Sequence, residues 1–173
     1  MQTKWSDRVR VLTSSDAGAY QRLRTEMLLD SPASFLSAPG DDIAEDRAVL
    51  AKKLDEAENK VLAIEGEDGA GLIAAGGIYR SPRLKMRHYA MIWGVYTSPA
   101  WRRRGCSRAL MEGAIGLARS WDGVEMINIG VSVNAPSALR LYESLGFVAW
   151  GREPRVTRVG AETFDEIHLA MEL

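Results

Sequence analysis

The chain has 173 residues, enough for one domain with a full core. Hydrophobic residues make up 46% and charged residues 26%, the balance of a soluble globular protein, and a net charge of −1 gives no reason to expect nucleic acid or an anionic membrane as partner. A single cysteine excludes an internal disulfide, His88 and His168 as the only histidines leave no metal cluster, and Met1-Gln2-Thr3-Lys4-Trp5 lacks an apolar signal core, so a cytoplasmic location is expected.

Arg8 to Leu12 alternates and predicts a short first strand, and Thr13, Ser14, Ser15 and Asp16 offer helix caps. Ala19, Leu23, Met27 and Leu28 then make one apolar face of a helix over 17–29, which Asp30-Ser31-Pro32 ends. A loop over 31–40 carries Phe35 and Leu36. A second helix is expected over 42–57, with Ile43, Val49, Leu50 and Leu54 inward and Asp41, Asp42, Glu45 and Asp46 as a solvated, dipole-favoured start rather than a metal cluster. Val61 to Ile64 predicts a strand, Glu67-Asp68-Gly69 a turn, and Leu72 to Tyr79 the hairpin partner. Gly76-Gly77 marks either a bulge or a close backbone approach. The stretch 81–87 is a basic connection.

His88 to Thr97 is apolar, β-branched and aromatic, and predicts a strand. After it come Ser98-Pro99-Ala100-Trp101-Arg102-Arg103-Arg104-Gly105, and then Cys106, Leu110, Ala114, Leu117 and Trp121 at helical spacing. A basic loop opening a helix leaves backbone N–H groups unpaired at the positive end of the helix dipole, which makes an anion site suited to phosphate. It is not a P-loop, since no Gly-Lys pair occurs, nor a dinucleotide fingerprint, since Gly105 stands alone.

Asp122-Gly123 turns the chain into a strand over 124–133, with Ile127, Ile129, Val131 and Val133 on one face. Next is Asn134-Ala135-Pro136, then a helix in which Ala138, Leu141 and Leu145 pack inward and Leu139 and Tyr142 share the adjoining face, stopped by Gly146. The tail reads as a strand over 148–152, a loop containing Glu153-Pro154-Arg155, a turn at Gly160, and a last strand over 163–173.

Two stretches resemble the GNAT family of N-acetyltransferases. In its acyl-CoA loop, Arg102, Gly105 and Ser107 take the motif positions, with Thr97 and Pro99 at the strand end; Ser107 departs from the usual Gly or Ala. In the second signature, Leu141, Tyr142, Gly146 and Phe147 match, while Asn134 stands one residue further from the tyrosine than usual. The closing Glu-Pro-Arg and Phe-Asp-Glu pattern resembles a large branch of the same family.

The predicted order, β-α-α-β-β-β-α-β-α-β-β, is mixed α/β, with helices flanking a twisted, largely antiparallel sheet. The resemblance implies that the central strand and the strand after the basic-loop helix splay into a V-shaped cleft. It implies acetyl-CoA as acetyl donor, with pantetheine on the backbone of Val95, Tyr96 and Thr97. The pyrophosphate would sit on the N–H groups of Arg103, Arg104, Gly105, Cys106, Ser107 and Arg108. Arg102 and its neighbours would hold phosphates, and Asn134 would stand as a further contact. It implies Tyr142 as the acid that protonates the leaving thiolate. Cys106 invites a nucleophile reading, but its place in the apolar stripe makes it a small core-facing residue.

Two functions stay open: an N-acetyltransferase acting on a small amine, an amino acid or a peptide N-terminus, and a non-catalytic CoA-binding or sensing module. Candidates for the amine's base are Glu153, Asp165, Glu166, His168, Glu26 and His88. Glu153 and Asp165 are expected near the acceptor, attracting its positive charge. No nucleic acid or membrane partner is expected; a homodimer is left open.

Overall fold

In a computed structural model of the chain, residues 4–67 and 69–173 are described, so Met1 to Thr3 and the Asp68 of the expected hairpin turn lie outside the account. The elements run β1 (Val9–Val11), α1 (Ala17–Asp30), α2 (Arg47–Leu54), β2 (Asn59–Glu65), β3 (Leu72–Arg80), β4 (Tyr89–Thr97), α3 (Cys106–Ser120), β5 (Met126–Ser132), α4 (Pro136–Ser144), β6 (Val148–Val159) and β7 (Glu162–Glu172). They build a seven-stranded sheet in the order β1-β2-β3-β4-β5-β7-β6. The expected mixed, largely antiparallel sheet is present: β4 and β5 pair in parallel, and every other neighbouring pair is antiparallel.

The period-2 alternation of the strands sends side chains to two cores, one on each face. On one face α3 and α4 bury Leu110, Met111, Ala114 and Tyr142 against Ile78, Ile92, Ile127 and Leu169. On the other, α1 and α2 bury Tyr20, Leu23, Met27 and Leu50 against Val61, Ala63, Ala75 and Tyr96. The α3 stripe follows Cys106, Leu110 and Ala114 as expected but continues through Ala118, with Leu117 and Trp121 only half-buried.

Three local expectations are corrected. The second helix does not start at Asp42: Asp42 accepts from the Ala44 N–H to cap a 3-10 turn over Ile43–Glu45, and Asp46 accepts from Ala48 and Val49 to start α2. Two successive capping aspartates divide the run. Nor is Asp42 solvated, since it is 6% exposed and bonded to the equally buried Arg24 guanidinium at 2.8 Å. The Glu153-Pro154-Arg155 loop is a bulge inside β6, where Glu153 pairs with Glu166 and Thr157 with Phe164. A proline is tolerated there because β6 is an edge strand.

The glycine pair of β3 is a close approach. A Cβ on Gly77 would lie 2.1 Å from the Trp93 ring. The bulge is in β4 instead: Ala75 pairs with Tyr96 and Gly77 with Trp93, so Gly94 and Val95 together face Gly76, with Gly94 at φ +62°.

Candidate active site

The registers of β4 and β5 create the site. They pair from Tyr89↔Met126 to Ile92↔Ile129 and part beyond, at the bulge that turns β4 aside. Trp93 and Gly130 are thus the first residues past the fork. The gap opens into a cavity of about 1000 Å³, walled by β4, β5, the basic loop with the first turn of α3, α4, the segment Asp30 to Phe35, and Val159, Glu162 and Phe164 of the β6–β7 hairpin.

At one end lies the start of α3. Gly105 is its N-cap at φ +92°, a conformation that costs a residue with a Cβ about 1–2 kcal/mol. The first α3 bond recorded to a residue outside the helix is the Ala109 N–H to the Gly105 carbonyl, at 3.0 Å; among the described residues, no carbonyl accepts from the N–H groups of Arg103 to Arg108. Of these residues Arg103, Gly105, Cys106, Ser107 and Arg108 line the cavity, at a dipole-positive helix start. Trp101 holds the loop, edge-on to Trp5 at 5.8 Å and beneath the Arg104 guanidinium at 5.0 Å.

The four arginines are not equivalent. The Arg102 Nε donates to the Thr97 carbonyl at 2.9 Å, and its guanidinium pairs with Asp30 and covers the Tyr96 ring. That bond occupies one of the carbonyls expected to meet pantetheine, while Val95 and Tyr96 remain in the stretch of β4 with no β5 neighbour. Arg104 stacks on Trp101, and Arg108 donates to Ser144 at 2.7 Å. Among the described residues, Arg103, exposed and at φ +60°, has no charged or hydrogen-bonding partner for its guanidinium. The Ser107 hydroxyl is shared with that of Thr97 at 2.9 Å, so its backbone N–H is the part left for an anion. Cys106 is 1% exposed, its thiol directed at the Trp101 carbonyl, and burial pushes its pKa up, which suits a core residue and not a thiolate nucleophile.

Tyr142 is the buried residue of α4, 4% exposed, and its ring lies 6.2 Å from that of Phe147. It lines the cavity, burial raises its pKa, and among the described residues its hydroxyl has no hydrogen-bond partner. Asn134 is exposed on the cavity wall at the β5–α4 turn.

Glu153 and Asp165 are not brought into the cavity wall. Asp165 accepts from the Arg155 N–H at 2.9 Å and from Arg152 at 2.7 Å, which lowers its pKa and staples the β6 bulge. The Glu153 carboxylate accepts from the His168 Nε2–H at 3.0 Å. Sequence reasoning also missed the far wall, where Trp93 and Phe35 flank the Arg24 guanidinium, each ring 5.7 Å from it. A lone glycine inside the β4 pattern was the available signal for the bulge.

A protein-family model described as "Acetyltransferase (GNAT) family" matches residues 20–147. An L-amino acid N-acetyltransferase of Escherichia coli is 26% identical over 84 residues, covering 49% of this chain and 52% of that relative, so the match spans about half its length. Among solved structures, a GNAT superfamily phosphinothricin acetyltransferase of Sinorhizobium meliloti, in complex with acetyl-CoA, superposes with TM-score 0.82 at 18% identity, over 100% of this chain and 89% of that one. A ribosomal-protein-alanine N-acetyltransferase of Brucella melitensis gives 0.81 at 20% identity, over 95% and 99%. The family match takes in the second core, the fork, the basic loop and Tyr142, and the chain belongs to the GNAT acetyltransferase family.

Proposed function

We propose that the chain is a cytoplasmic, acetyl-CoA-dependent N-acetyltransferase that passes an acetyl group directly to a primary amine of a small molecule, an amino acid or a peptide N-terminus. The observation that carries this reading is a run of unpaired N–H groups behind Gly105 and a buried phenol at Tyr142 opening into one cavity. The N–H groups of Arg103 to Arg108 match a diphosphate, and Arg103 is free to meet a phosphate. Between that end and the fork, β4 near Val95 and Tyr96 offers backbone to an extended amide-bearing arm, with Asn134 on the opposite side. The thioester then reaches the fork beside Tyr142.

There the nitrogen of a neutral amine bonds to the thioester carbon, the C–S bond breaks, and the departing thiolate takes a proton from Tyr142. The acetyl group never resides on the protein, in keeping with the buried thiol of Cys106.

The second reading, a non-catalytic CoA-binding module, is favoured by one fact: β4 from Tyr89 to Thr97 contains no carboxylate to serve as base. Release of CoA from acetyl-CoA in a pool of amines, followed with a thiol reagent, separates the two. Gly105→Val tests the donor site that both share. Among the described residues, a Cβ there meets Trp5 alone, at 3.8 Å, so the fold has room, but valine does not hold φ +92° and the loop must move. Calorimetry is expected to show acetyl-CoA binding lost with circular dichroism unchanged; unchanged affinity would refute the loop as the donor site.

A further inference from the structure

The amine needs a base, and β4 supplies none. The fork has a second side. Ile127, Ile129 and Val131 of β5 face α3 and α4, so Gly130 faces the opposite way, with Trp93 across the gap. Its register partner is His168, and Ser132 pairs with Glu166, so both β7 side chains share that face.

The Glu166 carboxylate occupies the space that a side chain on Gly130 would need: a Cβ there would lie 2.1 Å from its Oε1. Gly130 and Ser132 both line the cavity, and the Glu166 carboxylate, itself outside that wall as Glu153 and Asp165 are, lies directly over Gly130 at the fork. Glu166 is half-buried, and among the described residues no donor hydrogen-bonds it. A carboxylate taken partly out of water without a donor is costly to keep for packing alone. Burial raises its pKa, so it holds a proton more readily than an exposed glutamate.

Behind it stands His168, with Nδ1 3.7 Å from Glu166 and Nε2 3.0 Å from the exposed Glu153, its ring stacked on Trp150 at 5.3 Å. These are the charged groups that face Glu166: Glu153 from β6 and His168 from β7. β5 presents Gly130 and Ser132, and the Pro32–Ser34 turn that packs on this side carries no charge.

We infer that Glu166 is the general base for the acceptor amine, taking its ammonium proton at the fork and handing it through His168 and Glu153 to solvent. This rests on the acetyl-transfer reading above. The proton balance closes. An alkylammonium gives one proton to Glu166, and the neutral amine attacks. The second N–H proton, lost as the intermediate collapses, replaces the one that Tyr142 gives to the thiolate. One proton reaches solvent for each amide formed. Glu166 would reach the reacting amine over Gly130, where no side chain stands between them; His168 would act through Glu166 as a positioning and relay residue.

The test uses the full chain, acetyl-CoA and a mixture of L-amino acids, with CoA release read across pH. Glu166→Gln keeps shape and removes the base. It is expected to lower kcat/KM for the amine about 10²–10⁴-fold at neutral pH and to leave acetyl-CoA affinity unchanged. The deficit should shrink as pH rises past the amine's own pKa, about 7.7–8.0 for a peptide N-terminus. Glu166→Asp, which retracts the carboxylate, should show a smaller loss and keep the parent's acid limb; it decides the matter if the glutamine variant does not fold. His168→Gln should shift that limb without changing the KM for acetyl-CoA. A Glu166→Gln enzyme with the parent's rate and pH profile overturns the base and leaves acetyl transfer standing. A parent that binds acetyl-CoA but acetylates no amine overturns the transfer reading and the base with it.

Discussion

At the scale of single residues, the acid role proposed for Tyr142 rests on burial. Its ring is enclosed by Phe147 and the sheet, and burial pushes its pKa above the ordinary value near 10. The phenol therefore stays protonated through the neutral range, ready to donate. Because no protein group bonds its hydroxyl among the described residues, removing that hydroxyl strips no partner. Tyr142→Phe is expected to lower kcat by about 10²–10⁴-fold, to leave the KM for acetyl-CoA nearly unchanged, and to shift Tm little. A variant that turns over at the parent's rate would make Tyr142 a packing residue. Glu153 and Asp165 illustrate the opposite case. They look like an acidic rim in the sequence, yet Asp165 is spent on the Arg152 and Arg155 groups of a bulge.

At the scale of elements, the inner strands were legible as apolar runs and the two long helices because each buries one face, whereas β6, exposed along nearly its whole length, was expected only over 148–152. The limits of β4, expected over 88–97 and found at Tyr89–Thr97, follow from a run with turn residues on both sides. Gly105 and Pro136 mark the starts of α3 and α4. What could not be read were pairings fixed by tertiary contact. Asp42 looks like a helix-start acid, but α1 brings Arg24 to it across a gap of 18 residues. Glu166 meets Gly130 only because β5 and β7 become neighbours. The Arg24–Asp42 pair yields a prediction. Removing one member of a buried pair leaves the other charge without compensation, so Asp42→Asn should cost about 3 kcal/mol or more in denaturant unfolding. Burial by itself would raise the Asp42 pKa, but the bonds from Arg24 and the Ala44 N–H outweigh it and hold it low. A lowered carboxylate pKa stabilises above the unfolded value, about 3.9, and that contribution fades as pH falls through the folded value. The neighbouring Tyr20 hydroxyl is buried and, among the described residues, has no hydrogen-bond partner, so Tyr20→Phe should be neutral or stabilising. Equal losses in the two variants would contradict this account of the core between α1 and α2.

At the scale of the whole molecule, the sheet is two pieces joined along four register pairs, Tyr89↔Met126 to Ile92↔Ile129, with the cavity where that seam gives out. β1 to β4 carry α1 and α2 on one face and α3 on the other, while α4 packs on β5 across the seam. A ligand filling the gap contacts both pieces and replaces the backbone pairing that the bulge at Gly94 withholds. Acetyl-CoA should accordingly bind the folded state alone and stabilise it by mass action, about 2.7 kcal/mol at a hundred times its Kd. For a chain of this size that corresponds to a rise in Tm of roughly 5–10 °C. Hydrogen exchange should place the added protection on the backbone of Val95 and Tyr96 and on the N–H groups of Arg103 to Arg108, and leave the β1–β2 pair, which lies outside the cavity wall, nearly unchanged. Gly105→Val should lose the Tm increment and the added protection together. A full increment in that variant, or protection concentrated away from β4 and the start of α3, would show that the donor does not bind across the seam.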